Sequence, residues 1–297
     1  MKSAREAAAR LGPVGVWSSA PERMTAVDAG RFAAEVEALG FKTLWIQESI
    51  GSKEIFAHAS ILLAATKTLI IASGIANIWA RDPVAMANGA KTIIEAHPDR
   101  FLLGVGVSHK PSVEIRGGRY RRPLEHMRWY LDAMDRSPFV GPNRDDPPAP
   151  RVLAALGPQM LRLSAERSLG AHPYFVPVEY TAVARTELGP DPLLAVEQAV
   201  VIETDAEKAR AAGKRHVKFY LALDNYSNNL RRLGWTDADL ADGGSDKVLD
   251  AIVASGAASA VQERVAAHHR GGADHVCVQP LGDDPLGQLR VIAKALL

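Results

Sequence analysis

The feature of this 297-residue chain that most limits its fold is an alternation of short β-type apolar runs with longer stretches of helical periodicity. Eight runs can be read: Val14–Trp17, Thr43–Ile46, Leu69–Ile75, Phe101–Val107, Arg151–Ala155, Ala171–Val176, Leu194–Glu203 and His275–Gln279. Strands separated by helices predict a parallel sheet. Buried parallel strands read as nearly continuous apolar stretches, as Leu69-Ile70-Ile71-Ala72 and Phe101-Leu102-Leu103 do. Eight strand–helix repeats predict an α/β chain folded as a (β/α)8 TIM barrel, for which this length is ordinary.

The helical stretches agree. Phe32, Val36 and Leu39 recur at i, i+4 and i+7, and Gly40 comes next as a stop. Another helix is predicted from Pro83 to Ala96, with Met86, Ala90, Ile93 and Ile94 facing inward. Met1–Arg10 reads as a short helix laid against the barrel. Two stretches break the pattern. Asp135–Pro150, rich in Pro, Asp and Gly, predicts an exposed loop. Thr204–Gly256 is too long for one barrel helix and predicts several short helices inserted before the last strand. Without a linker or internal repeat, residues 1–297 read as one domain, with 204–256 as its helical insertion.

The net charge of +1 gives no basic excess for nucleic acid. One cysteine, Cys277, excludes an intramolecular disulfide framework and suits a reducing compartment. The N-terminus lacks the apolar core of a signal peptide, and no stretch approaches the ~18 apolar residues of a membrane span. A soluble, cytoplasmic protein is expected.

In a barrel of this kind the active site forms at the C-terminal ends of the strands. At the end of the third run stands Ser73-Gly74-Ile75-Ala76-Asn77. Its small residues either let a flat ligand approach the backbone, with Asn77 offering an amide, or simply turn the chain. At the end of the fourth, Gly104-Val105-Gly106 lacks the third glycine of a dinucleotide fingerprint. His109 beyond it reads as a general acid or base, or as a solvated loop residue. After the fifth, Gly157-Pro158-Gln159 opens a helix whose free N–H groups suit an anion, or is a plain helix start. His172-Pro173-Tyr174 lies in the sixth run, nearby. Arg116, Arg119, Arg121, Arg122 and Arg128 form a solvated loop or a basic rim. His268-His269 reads as surface, and Cys277 as core.

Rival barrel chemistries lack their residues. No His-x-His stands after the first strand, so no metal site is expected. No carboxylate ends the fourth strand, against a retaining glycosidase. No lysine lies in the sixth run, against a Schiff-base aldolase. A bound organic redox cofactor fits what remains.

Five motifs carry a resemblance: Leu44-Trp45-Ile46-Gln47-Glu48, Ser73-Gly74-Ile75-Ala76-Asn77 with Arg81-Asp82-Pro83, Arg100-Phe101-Leu102-Leu103-Gly104-Val105-Gly106, Gly157-Pro158-Gln159-Met160 and Gly272-Ala273-Asp274-His275-Val276. With these, in order across nearly the whole chain, the sequence resembles the luciferase-like flavin monooxygenase superfamily, and within it the branch that uses the deazaflavin coenzyme F420. The resemblance implies an oxidoreductase acting on a small-molecule substrate, with FMN as the alternative cofactor. It also implies a homodimer. It places a non-proline cis peptide at Gly74–Ile75 against the ring, flanked by Ser73 and Asn77. Gly106, Ser108, Gly157, Pro158 and Gln159 would lie along the cofactor, with His172, Pro173 and Tyr174 near its phosphate. The arginines from Arg116 to Arg122 would meet its acidic tail. Trp17, Trp45, Trp79 and His109 would shape the substrate pocket. Members of this branch often carry histidine where Ser49 stands, so proton handling would fall to His109 or Glu48. A non-catalytic cofactor-binding protein is the reading from another class.

Overall fold

The computed structural model describes residues 1–142 and 147–297. Among them lie ten strands: β1 (Val14–Trp17), β2 (Thr43–Ile46), β3 (Ile70–Ser73), β4 (Ala76–Asn77), β5 (Phe101–Gly106), β6 (Arg151–Leu153), β7 (Gly170–Ala171), β8 (Leu193–Ile202), β9 (Val253–Gly256) and β10 (His275–Pro280). All pair in parallel, and eight close into a barrel in the order β10-β1-β2-β3-β5-β6-β7-β8, with β8 returning to β10. β4 continues the line of β3 along β5, and β9 pairs with the end of β8, beyond the reach of β7. The predicted barrel is therefore the fold.

The helices are α1 (Ala4–Leu11), α2 (Ala26–Ala38), α3 (Ile55–Ala64), α4 (Pro83–Ala96), α5 (Lys110–Glu114), α6 (Pro123–Asp135), α7 (Pro158–Arg167), α8 (Val178–Leu188), α9 (Ala206–Leu221), α10 (Asp224–Arg232), α11 (Asp237–Leu240), α12 (Asp246–Ile252), α13 (Ala258–Arg270) and α14 (Pro285–Leu296). The strands are buried on both faces. Val14, Val16, Leu44 and Ile46 point out into a core shared with the helices. Trp17, Trp45, Ala72, Leu102, Val152, Ala195 and Cys277 belong to a second core, in the barrel interior. Met1, Ala7 and Leu11 join that interior core, so α1 packs the barrel as the N-terminal segment was expected to. The predicted helix at Pro83–Ala96 is α4, begun by Asp82 capping the N–H groups of Val84 and Ala85.

Three expectations change. Of the sixth run only Ala171 is strand, the second residue of the two-residue β7, because the chain then leaves the sheet. The segment 204–256 holds the expected helices α9 to α12, but also strand β9, whose Val253-Ala254 reads as helical out of context. His268 is not a surface residue. It is fully buried on the inner face of α13, in line with Val261 and Val265, and bridges Thr181 Oγ1 (2.7 Å) and Gln198 Oε1 (2.8 Å). Of the loop expected at 135–150, Asp135 ends α6, residues 136–142 and 147–150 carry neither helix nor strand, and residues 143–146 lie outside the described residues.

Candidate active site

The site begins where β3 stops. The Gly74–Ile75 peptide is cis, at the position the resemblance implies. Ser73 Oγ donates to Gly104 O (2.9 Å) and accepts from Gly104 N (2.8 Å), and Gly74 N donates to Ile46 O (2.7 Å). Two glycines of β5 leave room for this bulge. A Cβ at Gly104 would stand 1.9 Å from Ser73 O, and one at Gly106 would stand 2.5 Å from Ile75 Cγ1. The Gly104-Val105-Gly106 sequence, which fails as a nucleotide fingerprint, is thus a packing device beneath the bulge.

Above the bulge, at the C-terminal ends of the strands, opens a cavity of about 560 Å³. Its floor holds Trp17, Gly74, Ile75, His172 and Tyr174. One wall is Gln47, Glu48 and Ser49 after β2, with Val107, Ser108 and His109 after β5. Next to the segment after β5, Ala154 to Gly157 after β6 continue the lining. The insertion closes the top with Phe219, Tyr220, Leu223, Asn225, Tyr226 and Arg232 of α9 and α10 and the turn between them. A second cleft, about 510 Å³, lies outside the barrel between α9 and α14 and brings no aromatic side chain together.

The floor contains two buried polar atoms without a partner, Trp17 Nε1 and His172 Nε2. A Cβ on Gly74 would lie 2.7 Å from the first and 3.1 Å from the second, so only glycine keeps this space open. His172 was expected near a phosphate. It lies instead deep on the floor, stacked on Trp45, with Nδ1 donating to Ala195 O at 2.8 Å. Burial pushes its pKa down to about 4, so it is neutral at pH 7 and offers no cation to an anion. Pro173 sits behind it, its carbonyl accepting from Glu197 N. Tyr174 is buried, its hydroxyl 2.9 Å from that of Tyr220 and 2.8 Å from Gln279 Oε1.

His109 and Glu48 both reach the cavity but differ in freedom. His109 Nδ1 is 2.8 Å from Asn225 Oδ1, an acceptor on α10. Burial holds its pKa below the usual histidine value, so the ring is neutral, Nδ1 carries the hydrogen and Nε2 keeps its lone pair. Glu48 is engaged on both oxygens: it forms a two-pronged pair with Arg81, and Oε2 also accepts from Asn77 N at 2.8 Å. Arg81 in turn reaches Glu54 at 2.9 Å. The carboxylate serves to fix the loop from Asn77 to Arg81, which is a positioning role.

Other expected site residues divide into lining and supporting positions. Gly74, Ile75, Ser108 and Gly157 line the cavity. Ser73, Asn77 and Gly106 are buried behind it; Asn77 Oδ1 accepts from Trp79 N (2.9 Å) rather than facing a ligand. Pro158 and Gln159 are exposed on the first turn of α7. Trp45 supports His172, and Trp79 stacks on His126 while its Nε1 donates to Val107 O, so neither lines the pocket. Arg116, Arg119, Arg121 and Arg122 are exposed on the segment that runs to Tyr120 and Pro123 at the cavity rim. Arg128 is exposed too and pairs with Glu166.

Several residues escaped sequence reasoning. Asn225 and Arg232 lie in an insertion whose docking no local pattern reveals, and Tyr226, in the stretch Tyr226–Leu230 expected to bear on pocket shape, lines the cavity. Arg232 stands beside the uncapped start of α7, 3.9 Å from where a Gly157 Cβ would be. Two carboxyls, the half-buried Glu22 and the buried Glu197, were also missed. Burial raises Glu22, bonded to Gln47 at 3.2 Å, to about 7, and Glu197, inside the barrel, to about 8. Among the described residues, no group of three or more His, Cys, Asp or Glu could hold a metal ion, and no helix is long and apolar enough to cross a membrane.

Comparison with known proteins places this geometry. A family model described as luciferase-like monooxygenase matches residues 10–275. A 5,10-methylenetetrahydromethanopterin reductase of Archaeoglobus fulgidus is 25% identical over 305 residues, spanning 88% of this chain and 92% of that protein. The solved structure of an F420-dependent secondary alcohol dehydrogenase, in complex with an F420–acetone adduct, superposes with a TM-score of 0.76 at 16% identity, covering 96% of this chain and 98% of its own. The oxygenating constituent of 3,6-diketocamphane monooxygenase from Pseudomonas putida, in complex with FMN, gives 0.67 at 15% identity and covers 95% of each chain. With a barrel closed over the whole family match and a cavity at its strand ends, the chain belongs to the luciferase-like monooxygenase family.

Proposed function

We propose that this chain is an oxidoreductase that holds coenzyme F420 over the Gly74–Ile75 bulge and moves a hydride between it and a small organic substrate. The observation that carries this reading is the floor of the cavity. A glycine cradle, kept open by Gly74 and supported by Gly104 and Gly106, lies against two unpaired buried polar atoms of Trp17 and His172. A flat, polar-edged ring fits such a floor, and an apolar ligand would leave both atoms unpaired. Family membership and the F420-dependent dehydrogenase with the same fold support the choice of ring.

When bound, the deazaflavin supplies the hydride acceptor or donor. The chain's own residues do the rest. Gly74 and Ile75 pack against the ring, with Ser108 at its side. Gly157 and the first turn of α7, with Arg232 beside them, hold the phosphate, through free N–H groups and a guanidinium. Arg116, Arg119, Arg121 and Arg122 attract the acidic tail. His109 exchanges the substrate proton through Nε2, held in that tautomer by Asn225. The insertion's Tyr220, Leu223 and Tyr226 cover the site and exclude water.

A second reading, an FMN-dependent monooxygenase, draws support from the FMN-bound structure of the same fold. Parallel titrations of the purified chain with F420 and with FMN, monitored by ring fluorescence, separate the two. The first reading expects saturable quenching of F420 at lower concentration than FMN. Tighter FMN binding favours the second. F420 binding without hydride transfer across a screen of alcohols, ketones and enones would leave a cofactor-binding protein without catalysis.

A further inference from the structure

The two unpaired atoms on the cavity floor are of opposite kind. Trp17 Nε1 carries a hydrogen and only donates. His172 donates from Nδ1 to Ala195 O, so its Nε2 carries only a lone pair and only accepts. Both are buried. Both lie within about 3 Å of one point, the place a Gly74 Cβ would occupy, at 2.7 and 3.1 Å.

Neither ring is free to turn away. Trp45 stacks on His172 with centroids 4.2 Å apart. Trp45 Nε1 donates to His275 Nε2 at 3.0 Å, and His275 Nδ1 donates to Gly12 O at 2.6 Å. This chain of contacts ties the His172 ring to the backbone at the base of the barrel. Trp17 packs against Tyr174, ring centroids 5.1 Å apart, and the Tyr174 hydroxyl is itself bonded. A fixed donor and a fixed acceptor, both dry, mark a place that a ligand completes, because an unpaired buried polar group is costly.

We infer that Trp17 and His172 together read a lactam edge, an N–H beside a C=O, and so select a ring that carries a pyrimidinedione. The lactam N–H donates to His172 Nε2, and the adjacent carbonyl accepts from Trp17 Nε1. The inference rests on the proposed ring site at Gly74 and adds which edge of the ring enters first. Other ligand groups match less well. A carboxylate brings acceptors only and leaves His172 unpaired. An ammonium brings donors only and leaves Trp17 unpaired. A hydroxyl or a water can serve both atoms, and the experiment separates these from the lactam. The edge is common to flavins and deazaflavins, so the pair selects a ring class and leaves the choice between the two to the rest of the cavity.

The test compares two probes on the full wild-type chain: 5-deazariboflavin 5′-phosphate and the same molecule methylated at N3, which removes the lactam N–H. Dissociation constants come from ring fluorescence. The N3-methyl probe is expected to bind about 10- to 100-fold more weakly, the range for leaving a buried acceptor unpaired. In His172→Phe the two probes should bind within about 3-fold of each other, since the acceptor that tells them apart is gone. Trp17→Phe should weaken both probes and keep the preference. Equal binding of both probes by the wild type overturns the inference while leaving the ring site standing. Binding of neither probe removes the ring site and the inference with it. The wild-type comparison needs no variant to fold.

Discussion

His109 Nδ1 lies 2.8 Å from Asn225 Oδ1, which joins the loop after β5 to a helix of the insertion more than a hundred residues away. The bond fixes the imidazole tautomer and leaves Nε2 as the proton acceptor. It also favours the protonated ring, against the burial that disfavours it. Asn225→Ala should therefore move the acidic limb of the kcat/KM profile to lower pH and reduce kcat by about 10-fold, while Asn225→Asp should move that limb to higher pH. His109→Ala should lose about 10²- to 10⁴-fold in kcat. An unchanged pH profile in both Asn225 variants would remove His109 from proton handling.

Glu48 and Arg81 form a nearly buried pair, their side chains 5% and 10% exposed. Removing one charge from such a pair leaves the other uncompensated. Glu48→Gln should cost about 3 kcal/mol of stability, read as a lowered denaturation midpoint. The pH profile should keep the limb set by His109. A lost limb would return Glu48 to the proton-handling role that the sequence leaves open for it.

The two glycines of β5 should differ in their tolerance of a methyl group. At Gly104 the obstacle is a backbone carbonyl at 1.9 Å, which cannot step aside. At Gly106 it is the end of the Ile75 side chain at 2.5 Å, which can. Gly104→Ala should cost about 3 kcal/mol or more, whereas Gly106→Ala should cost about 1–2 kcal/mol and weaken ring binding through the shifted Ile75. Thermal unfolding ranks the pair, and equal losses would contradict the packing account.

Acid should destabilise the fold well above the carboxylate range. Burial lowers His58, His172 and His275 to about 4 and His216 and His268 to about 3. Their unfolded values lie near ~6.5. As pH falls from that value towards 4, the unfolded chain takes up protons that the folded chain refuses, so stability falls with pH. Glu22 and Glu197, raised to about 7 and about 8, act in the opposite sense, but they are outnumbered. The Tm should drop between pH 7.0 and pH 5.0. A rise over that interval would contradict the burial of these histidines.

The barrel is legible because buried parallel strands must be apolar along their length. β1 and β2 begin and end where their apolar runs do. The sixth run reads as long because His172 to Val176 are buried, as strand residues are, yet the chain leaves the sheet and puts His172 and Tyr174 on the cavity floor. His268 occupies a helix face already marked by Val261 and Val265, a signal present in the spacing but masked by its polar neighbour His269. At the site, His109 can be named from the residues just past the end of a strand, while Gly74 and Ile75 are named by the family resemblance. Asn225 and Arg232 cannot, because their positions depend on how an insertion docks. The fate of Glu48 depends on Arg81, a partner 33 residues away that only the folded loop brings within reach.

Whether a deazaflavin ring rests on the floor beside Gly74 is decided by F420 fluorescence titration of the wild type and Gly74→Val. A valine Cβ would lie 2.7 Å from Trp17 Nε1 and fill the space the ring needs, with an open cavity beside it to take up the strain. Saturable quenching is expected of the wild type, and at least about a 100-fold loss of affinity in a variant that keeps a cooperative thermal transition. Wild-type affinity in a folded Gly74→Val variant would contradict that placement of the ring.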